Sequence, residues 1–448
     1  MRRRSITGPL ILIAIGCLFL LRNFRPDLLH WTLLADYWPF LLIGVGIIGL
    51  IEVLVRAGRG DLPPVRPFSG GWIFWILLFC FWAAVLGHQH VGFGEFNFRD
   101  FDSGRVTFLG SDFNYDATAT AASTGASRVV IDNIRGDLTI RPGADDSVRV
   151  SGQKIVRAFG RSDADRANRE APVRIDREGD ELIVRAADSP FNRARVSADL
   201  EIAMPKGMSL VVRGRSGDIS IQGIDGSVVI DSGRGDVTVQ DIGGALTIGS
   251  NRAGDIRASR VRGDFELTGR GGDVHADNIT GLTRINGEYS GTLEFTALAK
   301  PFRFRSSRTE FTAEAVPGNI NFDLSDLRMR NVTGPVLFHS ANRDIDTAQV
   351  TNGLDLSVVR GDIHVDATEG PLPKIEAHAH NGDIALSLPA TGQFGLQGST
   401  GQGEVNDGFG SPLRVESRGR SASIQGRTGD GPAISITTDR GSITVSKS

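Results

Sequence analysis

Two histidines one residue apart, His378-Ala379-His380, with Asp383 three positions later, come nearest to metal-ligand spacing in this chain. Alternate residues of a strand share a face, so both imidazoles could reach one zinc or copper ion, with the carboxylate as a further ligand. His88-Gln89-His90 repeats the spacing. Two histidines hold a transition metal only with further donors, and a solvated strand face is the plainer reading. No bound metal and no cofactor is expected.

Glycine-aspartate pairs raise a second chemistry. Gly217-Asp218, Gly235-Asp236, Gly254-Asp255, Gly263-Asp264 and Gly272-Asp273 come in close succession, and Gly361-Asp362 and Gly382-Asp383 follow. Calcium-binding β-rolls close around their ion with a Gly-Gly-x-Gly-x-Asp turn. Here each turn supplies one glycine and at most one aspartate; Gly271-Gly272-Asp273 is the nearest approach and is incomplete. The pairs read as structural turns, in which glycine accepts φ > 0 and aspartate caps the turn through the backbone. Four Arg-Gly-Asp triplets (Arg135–Asp137, Arg234–Asp236, Arg262–Asp264, Arg360–Asp362) follow from the same turns in a chain whose main base is arginine.

Polysaccharide lyases and hydrolases with parallel β-helices are the enzymatic rival. They need paired carboxylates at a cleft, or calcium with a base, and aromatic platforms for sugar rings. Trp31, Trp38, Trp72, Trp75 and Trp82 are all N-terminal, and beyond them only Tyr115 and Tyr289 remain among the tyrosines. There is no Gly-x-Ser-x-Gly elbow and no Walker loop. A non-catalytic protein is expected. The first hundred residues hold nine arginines against six acids and the remainder is mildly acidic, so no basic footprint for nucleic acid exists.

The elements that would position these residues are legible in a short period. Glycines stand at 217, 226, 235, 244, 254, 263, 272, 281 and 291, nine or ten residues apart. The second and fourth residues after each are apolar in seventeen of eighteen cases, Val237/Val239 and Phe265/Leu267 among them, with Thr283 the exception. A polar residue usually separates them. That alternation is a half-buried strand, and its recurrence every nine residues means strand and turn without intervening helices. Such units bury their apolar face only by stacking. Two strands per turn give a rung of about eighteen residues and a rise of about 4.8 Å. The pattern returns at Gly136-Asp137-Leu138-Thr139-Ile140 and Gly441-Ser442-Ile443, which places an all-β parallel β-solenoid over 128–448. Its irregular parts are an Arg/Asp-rich loop or short helix near Arg157–Ala171 and a Phe-rich stretch over Phe295–Phe322.

Before it lie three apolar stretches, about 6–22, 37–55 and 71–87, each near the ~17–20 residues that cross a bilayer. Cys17 and Cys80 fall inside them, so no disulfide framework serves the repeats. Arg2, Arg3 and Arg4, with Arg56, Arg59 and Arg66, favour a cytoplasmic N-terminus by the positive-inside rule. Three spans would then place everything after about His88 outside the cytoplasm. Residues 1–90 are the expected transmembrane anchor and 91–127 a juxtamembrane linker.

The wording of the first two stretches resembles the LiaF/LiaI-type transmembrane domain over about residues 5–56. The likeness rests on Gly8-Pro9-Leu10-Ile11-Leu12-Ile13-Ala14-Ile15-Gly16, on Leu20-Leu21-Arg22-Asn23, and on Tyr37-Trp38-Pro39-Phe40-Leu41-Leu42-Ile43-Gly44 with Gly46 and Gly49. The repeated Gly-Asp-Ile/Val units resemble the bacterial "putative adhesin" β-strand-repeat family of unknown function. These resemblances imply a cytoplasmic-membrane protein of the bacterial cell envelope, an accessory or regulator of a stress response. Its implied partners are the lipid bilayer and a membrane sensor kinase or an envelope component. The rival class is an adhesin or scaffold that self-associates through an open solenoid end, since the tail Ile443-Thr444-Val445-Ser446-Lys447-Ser448 stops almost on a strand.

Overall fold

Val237 and Val239 point inward while Thr238 points out, and the next copy of the pattern, Ile256-Arg257-Ala258, lies beside it in parallel register. Repetition of that step builds the molecule. The computed structural model describes residues 111–158, 160–186 and 195–448, which form thirty-one strands (β1–β31) and one helix. The three expected membrane spans lie outside the described residues.

Each rung has two strands, one on each of two stacked faces. On the first face β8 (Ser209–Ser216), the start of β10 (Val228–Ile242), the start of β11 (Leu246–Val261), β12 (Phe265–Gly271), β14 (Thr283–Tyr289) and β16 (Phe302–Arg305) pair in parallel. On the second, β9 (Ile219–Ile224), the ends of β10 and β11, β13 (Val274–Ile279) and β15 (Leu293–Leu298) do the same. Partners are offset by 18 or 19 residues, as in Val228↔Leu246 and Leu246↔Phe265. The nine-residue period is therefore half a rung, and each fully buried Ile, Val or Leu adds about 1.5–3 kcal/mol.

A third inward residue per second-face strand escaped the alternation. Ile224, Ile242, Val261, Ile279 and Leu298 are buried. Each follows a residue at positive φ: Gly223, Asp241, Arg260, Asn278 and Ala297. One left-handed residue turns the next side chain inward, so spacing becomes two and then three. Within this column Arg260 holds Asp241 of the adjacent rung at 2.5 and 3.0 Å, which lowers the pKa of the Asp241 carboxyl.

Thr283, the one polar residue in the apolar columns, is fully buried, and its Oγ1 has no hydrogen-bond partner among the described residues. Thr283→Val keeps the shape and removes an unsatisfied hydroxyl, so it is expected to stabilise the protein by about 1 kcal/mol in denaturant titrations. A destabilised variant would mean that the hydroxyl has a partner.

The parallel stack is interrupted within the Phe-rich stretch, one of the two irregular parts expected, and the interruption is a reversal of strand direction. β17 (Thr309–Ala313) runs antiparallel to β16, and β18 (Val316–Phe322) antiparallel to β15. Parallel winding resumes with β19 (Asp326–Thr333) and β20 (Val336–Asn342), which flank the reversed rung with antiparallel pairs of their own. Hairpin turns without Gly-Asp cause the reversal. Ser306 Oγ accepts the N–H groups of Arg308 and Thr309, and Asp323 Oδ1 those of Ser325 and Asp326. Arg343 then stands where the repeat has glycine. It donates to the Asp323 carbonyl at 2.5 Å and to Ser340 and Thr309, with its guanidinium 5.4 Å from the Phe322 ring centre. The Phe-rich stretch is the packing of this junction.

From there β21 (Asp344–Thr351), β22 (Leu354–Arg360), β23 (Ile363–Asp366), β24 (Ile375–Asn381) and β25 (Ile384–Leu388) continue the two faces. Chain order and spatial order part at both ends. β2 (Arg128–Arg135) lies between β6 (Glu181–Arg185) and β8, and β3 (Leu138–Pro142) between β7 (Arg195–Met204) and β9. Likewise β30 (Ala433–Arg440) lies between β24 and β26 (Gly395–Gln402), and β31 (Ile443–Lys447) between β25 and β27 (Val405–Asp407). The C-terminal tail is thus an interior rung, not the open end expected of it.

Antiparallel strands complete the ends. β28 (Arg414–Arg418) and β29 (Ser421–Arg427) follow β26, and β5 (Arg174–Glu178) follows β6. β1 (Ser111–Ala122) pairs along its length with β4 (Ser147–Ala158), which pairs with β7. Residues 111–122 therefore belong to the sheet rather than to a linker. Helix α1 (Arg161–Glu170) covers this corner, with Ala164 and Ala167 against Val156, Ala158 and Val196. Buried Lys154 donates to the carbonyls of Asn168 and Ala171 at 2.9 and 2.5 Å, capping the helix C-terminus.

Candidate functional site

The Gly-Asp residues gather at the corners where the chain passes from one face to the other. At one corner Gly217 and Gly235 have φ of +119°, and a Cβ on Gly217 would overlap the carbonyl of Gly136 in the neighbouring rung. Gly254, Gly263 and Gly272 lack positive φ, unlike the turn expected for them. A side chain on Gly254 or Gly263 would instead overlap the rung beside it.

The aspartates form a ladder. Asp137 N–H donates to Asp199 Oδ1, Asp218 N–H to Asp137, Asp236 N–H to Asp218 and Asp255 N–H to Asp236, all at 2.8–2.9 Å. Asp273 N–H donates to Asp255 at 3.3 Å, and Thr292 N–H to Asp273 at 2.8 Å. A second ladder beyond the reversed rung links Asp344, Asp362, Asp383 and Ser442 at 2.7–2.9 Å. The first follows spatial rather than sequence order, with Asp137 between Asp199 and Asp218, and the second skips from Asp383 to Ser442. Asp264 belongs to the opposite corner, where its Oδ1 accepts the Leu282 N–H. The uniform nine-residue repeat hides two corners: one carries the continuous ladder, and at the other Asp264 makes the same kind of bond to its neighbouring rung.

The second ladder borders an open groove of about 340 Å³. Asp326, Asp344, Asp362 and Asp383 form one side, and Arg328, Asp346 and His364 the other. Three of these carboxylates, on exposed Asp344, Asp362 and Asp383, already accept a backbone N–H from the next rung, which fixes their orientation. The groove's lining is acidic, with five aspartates against one arginine and one histidine.

His378 and His380 share the outer face of β24, as their spacing predicted. His380 Nδ1 lies 2.6 Å from Asp439 Oδ2, while Asp383 is engaged with Ser442. Among the described residues, no group of three or more His, Cys, Asp or Glu has an arrangement that could hold a metal ion. The Asp439 contact was invisible to local spacing because it joins residues from rungs that are distant in sequence but adjacent in space.

The profile of the Toastrack DUF4097 family matches residues 126–446, and that of the LiaI-LiaF-like transmembrane region matches residues 6–50. The latter implies membrane anchoring. A solved structure from Clostridium sporogenes, titled a "putative cell adhesion protein", aligns at 9% identity over 75% of this chain and 100% of that one, with a TM-score of 0.17. No curated protein matches the chain.

Proposed function

Because this chain belongs to the Toastrack DUF4097 family, we propose that it is a non-catalytic, membrane-anchored envelope protein that binds a membrane partner through its N-terminal region. The carrying observation is the joining of a LiaI-LiaF-like transmembrane region to a repeat domain whose corner carboxylates are committed to rung-to-rung bonds. The anchor makes the regulatory contacts, with a sensor kinase of the envelope stress response as the partner class. The β domain stands outside the cytoplasm as a rigid polar surface.

In-cell crosslinking followed by affinity capture, comparing the full-length chain with residues 1–90, tests this reading. Both should retrieve the same membrane protein. Retrieval by neither, with the full-length chain joined only to itself or to wall material, would leave the adhesin or scaffold reading in its place. A polysaccharide-acting enzyme is the remote alternative, which sugar release by the purified protein would establish.

A further inference from the structure

Sheet edges expose unpaired N–H and C=O groups, and proteins commonly blunt them with short strands and charged residues. Among the described residues, three of the four outermost strands follow that rule. β5 reads Arg-Ile-Asp-Arg-Glu and β28 Arg-Val-Glu-Ser-Arg, while β27 has three residues. β1 does not. It runs for 12 residues, has no proline or lysine, and pairs among the described residues with β4 alone.

We propose that the free edge of β1 pairs antiparallel with β1 of a second copy of this chain. The proposal is independent of the kinase-type partner above. A two-fold axis normal to the sheet requires core-facing residues to meet core-facing residues, so the two paired residue numbers must sum to an even value. In β1 the odd positions, such as Phe113, Tyr115 and Ala117, are the less exposed set, and the even ones face solvent.

Charge then selects among the symmetric registers. Centring the pair on Asp116 sets that carboxylate against its own copy, which is unfavourable. Centring it on Ala117 keeps residues 112–122 paired and removes every like-charge opposition. Asp112 faces Ala122, Asp116 faces Thr118, Tyr115 faces Ala119 and Phe113 faces Ala121. Asp112 is also neutralised within its own chain by Arg157, at 2.6 and 2.7 Å. The Ala122 carbonyl, at the end of the register, accepts from Arg177 at 2.9 Å.

Thr118 and Asp116 are both exposed, so charge changes there leave the core untouched. Mass photometry of the full-length protein in nanodiscs, over a dilution series, reads the dimer constant. Thr118→Asp places a second carboxylate against Asp116 at two symmetry-related positions, whereas Thr118→Lys places a cation there. The lysine variant should dimerise about tenfold more tightly than the aspartate variant. Combining Asp116→Lys with Thr118→Asp should restore pairing. A monomer at every concentration would overturn the proposal. So would a dimer indifferent to these changes, which would mean that the anchor holds it or that residues 91–110 of the same chain occupy the edge.

Discussion

Phe311→Ala is expected to lower the stability of the β unit by about 3–5 kcal/mol, the range for removing a large side chain from a closed core. Phe311 is fully buried at the centre of the reversed rung. Its ring meets Phe302 and Phe338 edge-on at 5.3 and 5.5 Å, and Phe322 at 6.3 Å. Phe295 and Phe304 extend the same stack. Here two parallel blocks meet through antiparallel strands, so packing across the junction is the coupling between them. In a stacked-repeat protein such a loss need not spread evenly. Denaturant unfolding of the variant should separate into two transitions as the blocks uncouple. Leu324→Ala, in the exposed turn of the same rung, should stay within about 0.5 kcal/mol of the parent. Equal effects of the two changes would contradict the junction described here.

Gly217→Ala is the second large effect, expected to cost about 3 kcal/mol or more. It combines an unfavourable backbone conformation with overlap against the neighbouring rung. Gly179→Ala separates these causes. Gly179 has φ of +64° with nothing within 4 Å of a new Cβ, so only the conformational cost of about 1–2 kcal/mol remains. Comparable losses at the two sites would mean that close stacking at the corner is unimportant. Both variants are measured by denaturant titration against the same parent.

Much of this fold was legible because its unit is short. Two inward residues after each glycine follow from strand alternation, and their stacking follows from the need to bury that face. Ile224, Ile242, Val261, Ile279 and Leu298 were missed because a left-handed residue breaks the alternation before each one. Their recurrence every 18 or 19 residues was the available signal. The reversed rung was marked only by a cluster of phenylalanines and by turns lacking Gly-Asp. The intercalated end rungs leave no local signature, since β3 and β9 pair across 81 residues, as in Leu138↔Ile219. At the corners, aspartate was readable as a turn residue. That its carboxylate would accept the next rung's N–H, rather than one in its own turn, depended on stacking register.

The proposed function requires a membrane-anchored chain whose β unit lies outside the cytoplasm. Its own cysteines, Cys17 and Cys80, both lie in the N-terminal apolar stretches, so a new cysteine in the repeats is a clean reporter once those two are replaced by alanine. Leu324→Cys places a thiol at a position 68% exposed. A membrane-impermeant maleimide, applied to cells with an intact cytoplasmic membrane, should label this thiol fully. Labelling only after that membrane is broken would put the β unit in the cytoplasm and contradict the envelope function proposed for it.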